Sequence, residues 1–104
     1  MQENDLYYSE LFDVYGALFS ENQRVIAGQY FRCDLSFGEI AENVGTSRQA
    51  VFDTVKKIKN KLDETEAELA LFRRLSQVKE AAAAIREGSP EKASALLSAV
   101  LEKK

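Results

Sequence analysis

The chain contains no histidine. That absence removes the commonest general base and a common metal ligand. Cysteine occurs once, at Cys33, so no internal disulfide can form, which fits a reducing compartment. There is no CxxC pair, no Gly-rich phosphate loop and no GxSxG elbow. Five glycines and one proline interrupt 104 residues, with no low-complexity tract, so the composition points to helix. No apolar run approaches the length of a membrane span. The first residues, Met1-Gln-Glu-Asn-Asp5, are acidic and lack the basic region and apolar stretch of a signal peptide. These absences lead us to expect a cytoplasmic protein with no membrane partner, no catalytic residues, no metal and no cofactor.

Hydrophobic residues make up 45% and charged residues 30%, enough for one domain, or one small domain with an appendage. Net charge is −3, so the chain as a whole is not a general polyanion binder. Leu6, Leu11, Val14, Tyr15 and Leu18 recur at helical spacing and predict a helix over Asp5–Leu18. Ser20-Glu-Asn-Gln23 has the form of a capping box and opens a helix expected to run to about Phe31. Ser36-Phe-Gly-Glu39 is a second such box, with Phe37, Ile40, Ala41 and Val44 facing inward. Gly45 can adopt positive φ and end that helix. Thr46-Ser-Arg-Gln49 reads as a third box directly after it. Two helices joined by so short a turn cross steeply, as a helix-turn-helix requires.

On a helical wheel with Val51 at the origin, Val55, Ile58 and Leu62 fall within about 40° of it and form a narrow buried stripe. Gln49, Asp53, Lys56, Lys57 and Asn60 occupy the opposite side. Over Ser47–Leu62 five basic residues (Arg48, Lys56, Lys57, Lys59, Lys61) face one acid, Asp53. A basic helix presented in this way can enter the major groove, its first residues at base edges and its lysines at phosphates. The candidates for base contact are Ser47, Arg48, Gln49 and Asp53, with Asn60 on the same face. Lys56, Lys57 and Lys59 are the candidates for phosphate. Phe52 lies at the edge of the buried stripe, suited equally to packing and to a partner. Cys33 reads as a small loop or core residue. A solvated outer face and a protein-binding module remain alternatives at this point.

After Leu62 the run Asp63-Glu-Thr-Glu-Ala-Glu68 is acidic, and Leu69 keeps the old stripe. Leu71, Leu75, Val78, Ala82 and Ile85 then form a new stripe on the far side of the wheel. No Gly or Pro intervenes, which favours one long helix over a break. Gly88-Ser89-Pro90 is a stop and restart. The last helix carries Ala93, Leu96, Leu97, Val100 and Leu101 on one face, expected to fold back on the Leu71–Ile85 stripe as a hairpin.

Leu35–Leu62, with Leu-Ser-Phe-Gly-Glu-Ile-Ala, then Gly, then Ser-Arg and a basic helix, resembles region 4 of bacterial sigma factors. Adding Leu11–Leu18, Glu21-Asn-Gln-Arg24 and Ser47-Arg-Gln-Ala-Val-Phe-Asp53, the chain resembles the YlxM family over roughly residues 6–73. These are small sigma-region-4-like proteins of Gram-positive bacteria encoded beside signal recognition particle genes. Phe52 stands where Tyr is expected, and Thr46 where an aliphatic residue is common. The resemblance implies an accessory or regulatory role in the signal recognition particle pathway, with the particle's RNA, its protein or DNA as partner.

The expected architecture is all-α: a sigma-region-4-like helix-turn-helix bundle over 1–70 with a long fourth helix, then a C-terminal helical hairpin over 71–104. The expected function is nucleic-acid binding by a regulatory helix-turn-helix protein. The alternative is a protein-interaction adaptor that binds a signal recognition particle component, or self-associates as a homodimer, through Leu71, Leu75, Val78, Ala82 and Ile85.

Overall fold

The structure is a computed structural model that describes residues 4–101. The outermost limits of the two expected domains, and the first three residues of the acidic N-terminal stretch, lie outside the described residues. Among the described residues six α-helices occur and no strand. They group into two compact units, the first ending at Leu69 and the second beginning at Ala70.

In the first unit, α1 spans Asp5–Tyr15 and passes into a 3₁₀ turn at Gly16–Leu18. The expected α-helix therefore tightens three residues early, and the expected face is corrected. Leu11, Phe12 and Tyr15 are buried, while Leu6 and Leu18 are exposed. α2 spans Glu21–Ala27. Its cap is the expected box: the Gln23 amide donates to the Ser20 hydroxyl, and the Ser20 amide donates to the Gln23 side chain. The chain then makes one turn of π-helix, Gly28–Arg32, where the Cys33 amide reaches the Gly28 carbonyl. The extra residue in that turn brings two consecutive aromatics, Tyr30 and Phe31, into the core together. Cys33 lies exposed on the connection that follows.

α3, Phe37–Val44, opens on the second reciprocal box, Ser36 with Glu39. It closes at Gly45, whose φ of +73° is the left-handed conformation that glycine adopts without a Cβ penalty. The amides of Gly45 and Thr46 both donate to the Ala41 carbonyl. Thr46 is thereby committed to ending α3, and the third start signal shifts by one residue. Ser47, not Thr46, caps α4, its hydroxyl accepting from the Ala50 amide at 3.0 Å.

α4 spans Arg48–Leu69 and buries Val51, Val55, Ile58 and Leu62, the stripe read from the wheel. Leu69 does not continue that stripe inward and stays exposed. The preference for one long helix is also corrected. Ala70 takes φ 51°, ψ 31°, which breaks the helix although neither Gly nor Pro is present. A left-handed alanine costs about 1–2 kcal/mol.

The second unit is a hairpin of α5, Leu71–Arg86, and α6, Pro90–Leu101. Gly88 at φ +80° turns the chain, and the Ser89 amide returns to the Ala84 carbonyl. The hairpin closes through Ala81, Ala84 and Ala93, with Leu96 packed against them, and not through the Leu71–Ile85 stripe. Small residues at i and i+3 let two helix backbones approach closely, so the alanine face takes the contact. Leu71, Leu75, Val78, Ala82 and Ile85 are left exposed, Ile85 at 61%.

Candidate nucleic-acid interface

α3 and α4 with the turn Gly45–Ser47 form a helix-turn-helix whose second helix is fixed by its buried stripe. Burying Val51, Val55, Ile58 and Leu62 turns the opposite side of α4 outward. Gln49, Asp53, Lys56, Lys57 and Asn60 are all exposed there, and Arg48 is exposed at the first turn of the helix, nearer the edge of the stripe. Ser47 sits at the start of the helix, exposed, with its hydroxyl engaged as the cap. Gln49 and Asp53 are joined one turn apart, the Gln49 amide nitrogen donating to the Asp53 carboxylate at 3.0 Å. That bond orients the Gln49 side chain and holds the one acid of this face in a defined place. Among the described residues neither Lys56 nor Lys57 forms an ion pair, so both ammoniums are available to an anion.

Lys59 departs from the expected set of phosphate contacts. Its ammonium lies 2.6 Å from the Asp5 carboxylate, a group with no solvent exposure. The Lys59 side chain is only 16% exposed. It also lies over the rings of Tyr8 and Tyr30, at 5.4 Å and 5.3 Å from their centroids. The Tyr30 hydroxyl donates to the other Asp5 oxygen at 2.6 Å. Lys59 therefore ties α4 to α1 and to the π turn, and does not project with Lys56 and Lys57. On the wheel it sits at about 80°, between Val55 and Phe52, on the edge of the buried stripe. That position was the available signal. Lys61 is also engaged, donating to the Leu18 carbonyl at 2.8 Å and lying over the Phe19 ring.

The acidic continuation of α4 meets tyrosines from α1. Tyr8 donates to Asp63 at 2.9 Å and Tyr15 donates to Glu66 at 2.6 Å. Burial, followed by the hydrogen bond to Asp63, pushes the Tyr8 hydroxyl above its ordinary pKa of 10.0. It stays a neutral donor at physiological pH. At the other end of the motif, the Ser36 amide holds the Glu39 carboxyl below its ordinary range, with the Ser36 hydroxyl adding to the effect.

A feature that charge reasoning passed over is the aromatic row beneath the basic residues. Tyr30 and Phe37 stack with centroids 5.3 Å apart and planes 8° apart. Phe37 then meets Phe52 edge to face, at 5.5 Å and 83°. Phe52 ends the row at the surface, 39% exposed, both packed and presented. A hollow of about 150 Å³ lies between Phe37, Phe52, Val55, Lys56 and Lys59. A larger and more open one, about 500 Å³, lies between the same two rings, Arg48 and Gln49. Among the described residues no cluster of three or more Cys, Asp or Glu side chains could hold a metal ion. Among the described residues no helix is long and apolar enough to cross a membrane.

Comparison with known proteins gives one consistent result. Residues 2–99 match the family model of UPF0122, described as "Putative helix-turn-helix protein, YlxM / p13 like". A UPF0122 protein of Halalkalibacterium halodurans is 37% identical over 103 residues, covering 98% of this chain and 94% of that protein. One from Thermoanaerobacter sp. (strain X514) is 36% identical over 88 residues, 85% of this chain and 75% of that protein. One from Bacillus licheniformis is 40% identical over 84 residues, 78% of each chain.

Proposed function

The chain belongs to the UPF0122 family of YlxM / p13-like proteins, and from that premise we propose that it is a nucleic-acid-binding regulatory protein rather than an enzyme. The observation that carries this reading is the outer face of α4. Lys56 and Lys57 project on the side away from the buried stripe, with Gln49 held by Asp53 beside them and Arg48 exposed at the first turn of the helix. Arg48 and Gln49 at the start of the helix have the donor geometry for guanine and adenine edges. Lys56 and Lys57, further along, suit phosphates. Ser47 secures the start of the helix, and Asn60 lies at the end of the same face. The partner is DNA or RNA. A cytoplasmic role in the signal recognition particle pathway, with the particle's RNA as a candidate ligand, is part of this reading through the family resemblance.

Salt tests it. Binding to duplex DNA should weaken with a log–log slope of about −0.9 per neutralised phosphate. Lys56→Ala with Lys57→Ala should make that slope shallower by about 1.8. Between about 50 and 200 mM salt the advantage of the wild type should then shrink about tenfold. If the wild type binds neither DNA nor RNA at low salt, or if the double change leaves the slope untouched, the reading fails.

The exposed stripe of α5 favours a second reading, in which the chain is an adaptor or homodimer built on Leu71, Leu75, Val78, Ala82 and Ile85. Contiguous apolar exposure of this kind marks interaction surfaces. Leu75→Glu with Val78→Glu should lower the mass in solution or abolish capture of a signal recognition particle protein. No change in either measurement counts against it.

A further inference from the structure

We propose that the hollow between Phe37 and Phe52 takes one unpaired base, so that the outer face of α4 prefers a nucleic acid with an extruded or bulged nucleotide over a continuous duplex. The proposal rests on the nucleic-acid reading above and names the ligand class of that same site.

Three observations carry it. First, the two rings stand at 83° to each other and form a corner open to solvent. A flat heterocycle entering that corner stacks on one ring and meets the edge of the other, both favourable aromatic geometries. Second, the size fits. The inner hollow is about 150 Å³, and a cavity of about that volume lined by apolar side chains holds a single benzene ring. One ring of a nucleobase is on that scale, and the open hollow beside it, about 500 Å³ between the same two rings, leaves room for the rest of the nucleotide. Third, the surroundings are those of a nucleotide. Lys56 lines the inner hollow and can donate to a base carbonyl, while Arg48 and Gln49 line the open hollow that shares the same two rings. The adjoining sugar and phosphate would lie there against the Arg48 guanidinium. A partner that was only a polyanion would have no use for an apolar corner. A partner that was only apolar would not need two cations around it.

The corner is also held firm from behind. Phe37 is stacked on Tyr30, whose hydroxyl is fixed by buried Asp5. The Phe37 wall is therefore in place before a ligand arrives, as a stacking platform needs to be.

The test is fluorescence-anisotropy titration of the full chain at fixed salt with three versions of one labelled RNA duplex: fully paired, with a single bulged uridine, and with an abasic residue at the bulge. The same three versions in DNA, with thymidine at the bulge, show whether the sugar matters. The bulged uridine or thymidine duplex should bind about fivefold to a hundredfold more tightly than the other two, the range expected of one base stacked on an aromatic ring. Phe52→Ala should remove that preference, so that the bulged duplex binds the variant no more tightly than the fully paired and abasic ones. Phe52→Leu keeps the apolar packing against Phe37 and should lose the preference as well, and Phe52→Tyr should retain it. If paired, bulged and abasic duplexes bind alike, and binding still depends on Lys56 and Lys57, the pocket is refuted while the nucleic-acid reading stands. If no duplex binds at all, both are refuted.

Discussion

Replacing Lys59 by methionine keeps most of the side-chain volume and removes the ammonium that lies 2.6 Å from Asp5. Asp5 has no solvent exposure, so its carboxylate cannot turn to water when the cation is gone. The Tyr30 hydroxyl remains as a donor at 2.6 Å, but one neutral hydrogen bond does not balance a buried charge. Breaking a buried ion pair on one side costs about 3–5 kcal/mol. Against a total stability of about 5–15 kcal/mol for a small domain, Lys59→Met should leave the first unit close to unfolding. Asp5→Asn should cost less, since the Asn carbonyl can still accept from Tyr30 and the longer Lys59 can move its ammonium toward solvent. The double change Asp5→Asn with Lys59→Met buries no charge and should recover about 2 kcal/mol or more of the Lys59→Met loss.

The assay is urea unfolding followed by tyrosine fluorescence. All four tyrosines, residues 7, 8, 15 and 30, lie in the first unit, so the signal reports that unit alone. A double variant no more stable than Lys59→Met would refute the argument from charge burial. There is a functional side to the same perturbation. At a temperature where Lys59→Met is still folded, its salt slope for duplex binding should equal that of the wild type. A slope shallower by about 0.9 would mean that Lys59 touches a phosphate after all, and the assignment of its ammonium to Asp5 would fall.

Two further outcomes test the architecture of the motif. Glu39 has its folded pKa below the ordinary 4.5, through the Ser36 amide. Its contribution to stability is therefore present above 4.5 and is lost as pH falls through the lower folded value. Glu39→Gln keeps the capping box, and the gap in urea midpoint between it and the wild type should shrink as pH is lowered; a gap independent of pH would contradict the assignment. Gly45 has φ +73° and open space where a Cβ would stand. Gly45→Ala should therefore cost about 1–2 kcal/mol through backbone strain alone, measurable as a lower thermal midpoint, and a neutral result would show that the turn relaxes out of the left-handed region.

Much of the motif is legible from local chemistry. Ser20 with Gln23 and Ser36 with Glu39 form the boxes their spacing predicts, because a capping box is settled within four residues of chain. The stripe Val51, Val55, Ile58 and Leu62 is legible because a periodic apolar face has one side to bury. Three things were not legible, each for a non-local reason. Thr46 satisfies the spacing of a cap, but its amide is taken by Ala41, and only the closed turn shows that Ser47 is the cap. Lys59 counts as one more cation in the sequence, yet a carboxylate 54 positions earlier turns it inward. In the tail, hydrophobicity favoured the leucine stripe as the hairpin contact. Close approach favoured Ala81, Ala84 and Ala93, and close approach decided the packing.

The acidic stretch after Leu62 looks at first like an obstacle to an anion-binding role for α4, because one helix would carry both a basic and an acidic surface. The geometry separates them. Asp63 and Glu66 accept hydrogen bonds from Tyr8 and Tyr15, so two of the four acids in Asp63–Glu68 serve as braces to α1. All four keep their charge, since the tyrosine hydroxyls are neutral, but they are separated along the helix from Lys56 and Lys57. From Lys57 to Asp63 is six residues, about 9 Å of rise, and the other three acids are farther still. That distance is about one Debye length at 0.1 M salt. On the proposed reading, a phosphate at Lys57 would be largely screened from these acids at physiological ionic strength while meeting Lys56 and Lys57 directly. The acids instead limit how far along α4 a polyanion can extend. They confine the attractive surface to Arg48–Lys57, the stretch that also carries Gln49 and the exposed Phe52. A helix basic along its whole length would bind any polyanion in many registers. One that is basic over its first turns and acidic beyond would admit few, and on the proposed reading the two halves of α4 would serve the same placement.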